Sequence, residues 1–388
     1  MTALLVAISA LGPISTDLYL PSLPAIGRHF ASSAAEIQLT LSVFLFGFAV
    51  SQLIYGPLAD RFGRRPVLIG ALLLYFAASL LCWIAPGLEV LIAARFLQAI
   101  GACAGPVVAR AVVRDVYGAS GAARILSHLA TAVALAPAIG PVMGGFVENA
   151  FGWRSNLALL ALWGAAALAA TWRLLPETIP ARNPAATQPQ RIAGNYLRLA
   201  ADSGYCTYVA ISACAYGGIF AFISGSSFVL IEGLGLSPAA YGFCFAVMPL
   251  GYMSGAFLSV RFSGRREIGR LILAGAAVAA AAGIGGFALA LILPAEPLAV
   301  VAPIYFFGLG AGLMIPNAVA GAIGPFPTMA GAASALLGFL QMGSAALIGI
   351  AVGQLVDATA RGLYGAVALV GLLALVMAWS VRRRGASD

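Results

Sequence analysis

Two side chains stand where a charge is costly. Asp17 lies in a run that is otherwise apolar from about residue 3 to 25, and Arg95 lies in another from about 88 to 116. A charged group at the centre of an apolar helix costs about 2.5–3.5 kcal/mol on insertion scales, so it faces a cavity or a partner. A carboxyl moved between a dry setting and a wet or cation-paired one takes up a proton in the first and releases it in the second. Asp17 is the only acid well inside such a run and Arg95 the only arginine clearly within one, which makes them natural partners. Gln98, one turn beyond Arg95, can share their network. Structural roles compete with this reading. Asp17 could bond backbone amides freed near Pro13 and Pro21, and Arg95 could snorkel towards a helix end.

The elements that must position these residues follow from composition. The 388 residues are 62% hydrophobic and 9% charged, against about 25% charged in a soluble domain. This excludes a disordered chain, a disulfide scaffold and a nucleic-acid binder, despite a net charge of +8. A bilayer-crossing helix needs about 20 mostly apolar residues. Twelve such runs occur, near 3–25, 37–58, 67–86, 88–116, 122–147, 155–175, 205–231, 238–260, 270–293, 298–322, 328–355 and 363–381. They are too long and too uniformly apolar for strands. Gly324-Pro325-Phe326-Pro327 divides the charge-free stretch 297–356 into two spans. The first run lacks a basic leader, contains three prolines and precedes eleven more spans, so it is not a signal peptide. The five cysteines lie in apolar runs without metal spacing and are expected to be reduced and buried.

All 21 basic residues are arginine, and seventeen of them fall in loops or ends on one side of this twelve-span arrangement. Three fall on the other: Arg28, Arg154 and Arg361. The positive-inside rule then puts both termini in the cytoplasm. The longest polar stretch, 176–203, is rich in Pro, Gln and Arg and separates six spans at 1–175 from six at 204–388. The halves echo each other, with Arg61-Phe62-Gly63-Arg64-Arg65 after the second span and Arg261-Phe262-Ser263-Gly264-Arg265-Arg266 after the eighth. Two such halves suggest a repeat-built secondary transporter with its site at the midplane. No constellation for intramembrane catalysis and no filter-like pore element is present in the sequence, so neither an enzyme nor a channel is expected.

The motifs resemble a family. Gly56-Pro57-Leu58-Ala59-Asp60-Arg61-Phe62-Gly63-Arg64-Arg65-Pro66 resembles the signature loop between the second and third helices of the major facilitator superfamily. Arg95-Phe96-Leu97-Gln98-Ala99-Ile100-Gly101 resembles the fourth-helix motif of its drug exporters. Ala136-Pro137-Ala138-Ile139-Gly140-Pro141-Val142-Met143-Gly144-Gly145 resembles their fifth-helix antiporter motif, with Ala136 where Gly is usual. Thr16-Asp17-Leu18-Tyr19-Leu20-Pro21 and Val113-Arg114-Asp115-Val116-Tyr117 are similar to the Bcr/CflA subgroup of proton-coupled drug exporters.

The resemblance implies an all-α membrane protein of twelve helices in two six-helix halves. It also implies a proton-coupled antiporter in the bacterial inner membrane that exports small hydrophobic drugs or antibiotics by alternating access. An exporter of an amino acid, peptide or sugar is the alternative. The proton gradient would be its only energy source, with no cofactor. Protons, a small molecule and the bilayer would be its partners, and a monomer its working unit. Proton coupling is expected at Asp17, Arg95 and Asp115, and gating at Arg114 and in the signature loop. In that loop Gly56 and Gly63 would permit tight turns, and Asp60, with Arg61, Arg64 and Arg65 around it, would latch onto the N-terminal amides of a neighbouring helix or an arginine of the fourth or fifth helix. Pro137 and Pro141 would bend the fifth helix, and Gly140, Gly144 and Gly145 would let another helix approach it closely. Asp17, Tyr19, Gln98, Tyr216, Phe220, Phe222, Phe243, Met248, Asn317 and Gln341 are the expected substrate contacts. Aromatic and Met surfaces suit varied apolar bodies.

Overall fold

The computed structural model describes residues 1–263, 267–355 and 359–384. Among these the chain is all-α, with eleven helices long and apolar enough to cross a membrane. A twelfth span, α1, is the pair Thr2–Ser9 and Leu11–Phe30, bent by 41°. The others are α2 Ala34–Phe62, α3 Arg64–Ile84, α4 Leu88–Gly118, α5 Arg124–Phe151, α6 Trp153–Leu174, α7 Ser203–Gly233, α8 Pro238–Phe262, α9 Ile268–Ile292, α10 Pro297–Ile323, α11 Pro327–Gln354 and α12 Ala360–Val381. Between α6 and α7 the chain forms a short turn, Pro184–Thr187, and a linker helix, Pro189–Ala201. Residues 264–266 of the second basic loop lie outside the described residues.

Local signals explain the helix ends. Ser33 and Glu36 form a reciprocal cap, so α2 starts three residues before its apolar run. Gly118, at φ +63, breaks the chain between α4 and α5. The turn after Ile323 separates α10 from α11. Helix α5 runs on to Phe151, past the end of its apolar run. This puts a second acid, Glu148, in its last turns, half-buried and accepting from Ser22 at 2.5 Å. The cysteines are free, but Cys206 is exposed at the start of α7 rather than buried.

The helices before and after the linker meet chiefly where α2 packs along α11 and α5 along α8. At the end remote from the linker the two sets close on each other. A Cβ on Gly145 would lie 2.2 Å from the Pro238 carbonyl oxygen, and one on Gly242 would lie 2.6 Å from that of Pro141. Gln38 donates across the same seam to the Ser224 carbonyl at 3.1 Å, and Arg28 pairs with Glu232 at 3.4 Å. At the linker end the same two sets leave a cavity of about 500 Å³.

Candidate functional site

Helices α1, α2 and α5 enclose a central cavity of about 360 Å³ with α7, α8 and α11. This lies in the range of small-molecule sites, roughly 300–1,000 Å³. Phe44 and Phe48 come from α2, Pro137 from α5, Tyr216 and Phe220 from α7, Met248 and Tyr252 from α8, and Met342 from α11. Among the described residues Asp17 is the one carboxyl in the wall. Its Oδ1 accepts from the Thr16 hydroxyl at 3.3 Å, and its buried Oδ2 has no hydrogen-bond partner. Gly140 makes room for it: a Cβ there would lie 2.7 Å from Asp17 Cβ. Gly144 likewise admits the Leu18 carbonyl. Within the fifth-helix motif, then, Gly140 and Gly144 seat α1, while Pro141 and Gly145 seal against α8.

Arg95 does not pair with Asp17, contrary to the expectation from sequence. Its Nη1 donates to the Ser15 carbonyl at 3.0 Å and to Gln98 Oε1 at 2.6 Å. The guanidinium lies between the Tyr19 and Phe44 rings, 4.5 and 4.4 Å from their centroids. Gln98 passes the network to Ser79 at 2.8 Å, and Ser15 meets the Tyr75 hydroxyl at 2.7 Å. Rings and neutral oxygens thus hold a fully buried cation among α1, α2, α3 and α4. Phe44 is the common wall, stacked on Arg95 on one side and lining the cavity on the other.

Other expected contacts fall elsewhere. Tyr19 and Gln98 belong to the Arg95 network. Phe222 is buried against Phe245. Phe243 faces outward and meets Phe146 edge to face at 6.0 Å. Asn317 donates to Ser259 and Gln341 to Ser212, each tying two helices together. Of the ten, only Asp17, Tyr216, Phe220 and Met248 line the cavity. The sequence reading missed Phe44, Phe48, Tyr252 and Met342.

The signature loop also differs from expectation. Gly56 sits inside α2 with open space beside it, so no tight turn or close approach requires it. Among the described residues Asp60 neither caps a neighbouring helix nor pairs with an arginine of α4 or α5; it pairs with Arg64 of α3 at 2.6 Å, and Arg64 continues to Asp115 of α4 at 2.9 Å. The cap is Glu177, from the segment after α6. It accepts from the backbone N–H of Arg64 at 3.0 Å and Arg65 at 3.4 Å, at the N-terminus of α3. Arg65 donates to the Trp172 carbonyl and Arg61 to Thr187. Arg114 faces the linker-end cavity. The latch therefore ties α2, α3 and α4 to the linker.

Burial alone would raise the Glu177 carboxyl, but the N–H groups of Ile179, Arg64, Thr178 and Arg65 hold it below its ordinary value. A depressed carboxyl contributes fully above the ordinary glutamate range, and its contribution is lost as pH falls through the lowered value. A spin label in the linker should therefore gain mobility only in acid in the wild type, and at every pH in Glu177→Gln. Gly63 has φ +106, and a Cβ there would lie 2.3 Å from Glu177 Oε2. Gly63→Ala should therefore cost more than the roughly 1 kcal/mol of a lost cap. Thermal unfolding in detergent checks the order: wild type, then Glu177→Gln, then Gly63→Ala.

Comparison with known proteins agrees with this architecture. The family model described as Major Facilitator Superfamily matches residues 5–350. Multidrug resistance protein D of Escherichia coli (strain K12) is 30% identical over 385 residues, covering 97% of this chain and 94% of its own. A bicyclomycin resistance protein homolog of Haemophilus influenzae is 28% identical over 371 residues, covering 95% and 93%. Among solved structures, an inward-facing bacterial homolog of the human lysosomal transporter Spinster superposes with a TM-score of 0.76. It is 16% identical and covers 98% of this chain and 96% of its own, a likeness of fold.

Proposed function

Because the chain belongs to the major facilitator superfamily, and its curated relatives include drug-resistance proteins of the Bcr/CflA kind, we propose that it is a proton-coupled antiporter that exports small hydrophobic drugs or antibiotics by alternating access. The observation that carries this reading is the central cavity. Six helices from both sides of the linker line it, its wall is mostly aromatic and aliphatic, and its one carboxyl has an unpartnered oxygen. Such a wall binds apolar bodies through area, with few fixed polar contacts. A sugar or amino acid would leave most of its hydrogen-bonding groups unpaired there, so the drug reading is preferred. Arg95 holds the stretch of α1 that presents Asp17, by donating to the Ser15 carbonyl two residues before it, without an ion pair. Asp115 stabilises the linker-end latch by holding Arg64.

The test uses proteoliposomes with an imposed pH gradient and a panel of neutral and cationic antibiotics. Substrate-dependent proton flux is the expected result; substrate movement indifferent to the gradient would overturn the coupling.

Both termini and the linker are assigned to the cytoplasm of a bacterial inner membrane, on the arginine asymmetry. The linker-end cavity then opens inward, and the sealed end faces outward. In a cysteine-free background, Gln188→Cys should resist a membrane-impermeant thiol reagent in intact cells, while Glu296→Cys reacts. The reverse pattern would invert every assignment of sides.

A further inference from the structure

The cavity at the linker end carries more positive charge than the latch engages. Three arginines line it: Arg64, Arg110 and Arg114. Arg64 engages both carboxylates of the wall, Asp60 and Asp115. Arg110 and Arg114, one turn apart on α4, face the same space, and among the described residues neither is in an ion pair. Arg110 gives its Nε to the Pro106 carbonyl at 2.9 Å. Two like charges on one helical face repel each other. Both are exposed to solvent, and both border one space that α2, α4, the linker helix and the start of α11 enclose. Gln52 and Asn195 add amide groups to that wall from α2 and the linker helix. Paired guanidinium forks with amide donors beside them suit a multivalent oxyanion.

We propose that Arg110 and Arg114 form a binding site for a phosphate-type oxyanion, and that its occupation steadies the linker end in the open arrangement seen here. The volume, about 500 Å³, admits a phosphoester as well as bare phosphate. The group can come from a soluble phosphoester or from an anionic lipid headgroup; basic pockets between membrane helices accept the latter. The site is separate from the central cavity and does not depend on the antiport reading.

The test uses the full chain in nanodiscs of phosphatidylcholine alone. Thermal unfolding is followed with inorganic phosphate, with glycerol phosphate, and with chloride at equal ionic strength. A second set of nanodiscs contains phosphatidylglycerol. A saturable rise in unfolding temperature above the chloride control is expected from at least one phosphate source. It should be absent from the Arg110→Gln/Arg114→Gln double variant and smaller, but present, in Arg110→Lys/Arg114→Lys, which keeps the charge and loses the forks. A rise with the soluble ions identifies a free phosphoester site; a rise only with phosphatidylglycerol identifies a lipid headgroup site. Should the glutamine variant fail to fold, equilibrium dialysis of labelled phosphate and native mass spectrometry of retained lipid decide on the wild type, with one bound group expected. No rise over chloride from any source, no bound group, or an equal rise in the glutamine variant overturns the proposal.

Discussion

Asp17→Asn is expected to reduce pH-driven export to the level of empty vesicles while leaving insertion, folding and binding of neutral compounds intact. Asn keeps the size of Asp and much of its hydrogen bonding but does not titrate over the working range. The substitution should fold well because, among the described residues, Asp17 makes no ion pair whose loss would strand a buried charge. Among the described residues its side chain makes one hydrogen bond, with Thr16, and its other oxygen is unpartnered. A proton-coupled uptake assay in inverted vesicles, run at several pH values, measures the loss. Ligand binding to the purified protein measures what is kept. Full pH-driven transport by Asp17→Asn would falsify the coupling role and shift attention to Asp115 and to Glu148, the acid near the far end of α5.

Gly242→Ala should push the transporter out of the state seen here. Its Cβ would lie 2.6 Å from the Pro141 carbonyl oxygen and 2.7 Å from Val142 Cα, both backbone atoms across the seam. Backbone cannot rotate aside as a side chain can, so α5 and α8 must part. Overpacking of this kind costs about 1–3 kcal/mol, and each 1.4 kcal/mol is about tenfold in a population. The exposed Arg28–Glu232 pair is too weak to hold the seam. Spin labels at Asn149 and Glu296, both exposed at the sealed end, should report longer distances. Gly56→Ala is the control, since its Cβ meets nothing within 4 Å. Unchanged distances in Gly242→Ala would mean that this contact does not set the closed state.

The spans were legible because hydrophobic length is a one-dimensional signal. Gly118, the turn before Pro327 and the Ser33 cap mark boundaries that the helices respect within a few residues. What each helix turns towards its neighbours was not legible. A helix that is apolar all round has no polar face to fix its rotation, so Phe220 and Phe243 looked alike, yet one lines the cavity and the other faces outward. The same gap hid the Arg95 cradle. Sequence supplied one buried acid and one buried base, and charge alone suggested a pair. The structure instead offers the cation two rings, a carbonyl and an amide. Glu177 was missed for a different reason. It lies in a polar linker, where an acid is unremarkable until the chain folds back onto the α3 N-terminus.

If proton coupling runs through Asp17, the one carboxyl of the central cavity among the described residues, it sets a thermodynamic ceiling. If one acid carries the coupling, one proton enters per substrate expelled. A pH unit then supplies about 1.4 kcal/mol, and each 100 mV of membrane potential about 2.3 kcal/mol per net charge moved. Export of a neutral compound moves one net charge and draws on both sources. Export of a monovalent cation moves none, so only the pH difference drives it. The same protein would then concentrate neutral antibiotics outside in alkaline medium, where membrane potential persists, and lose its hold on cationic ones there.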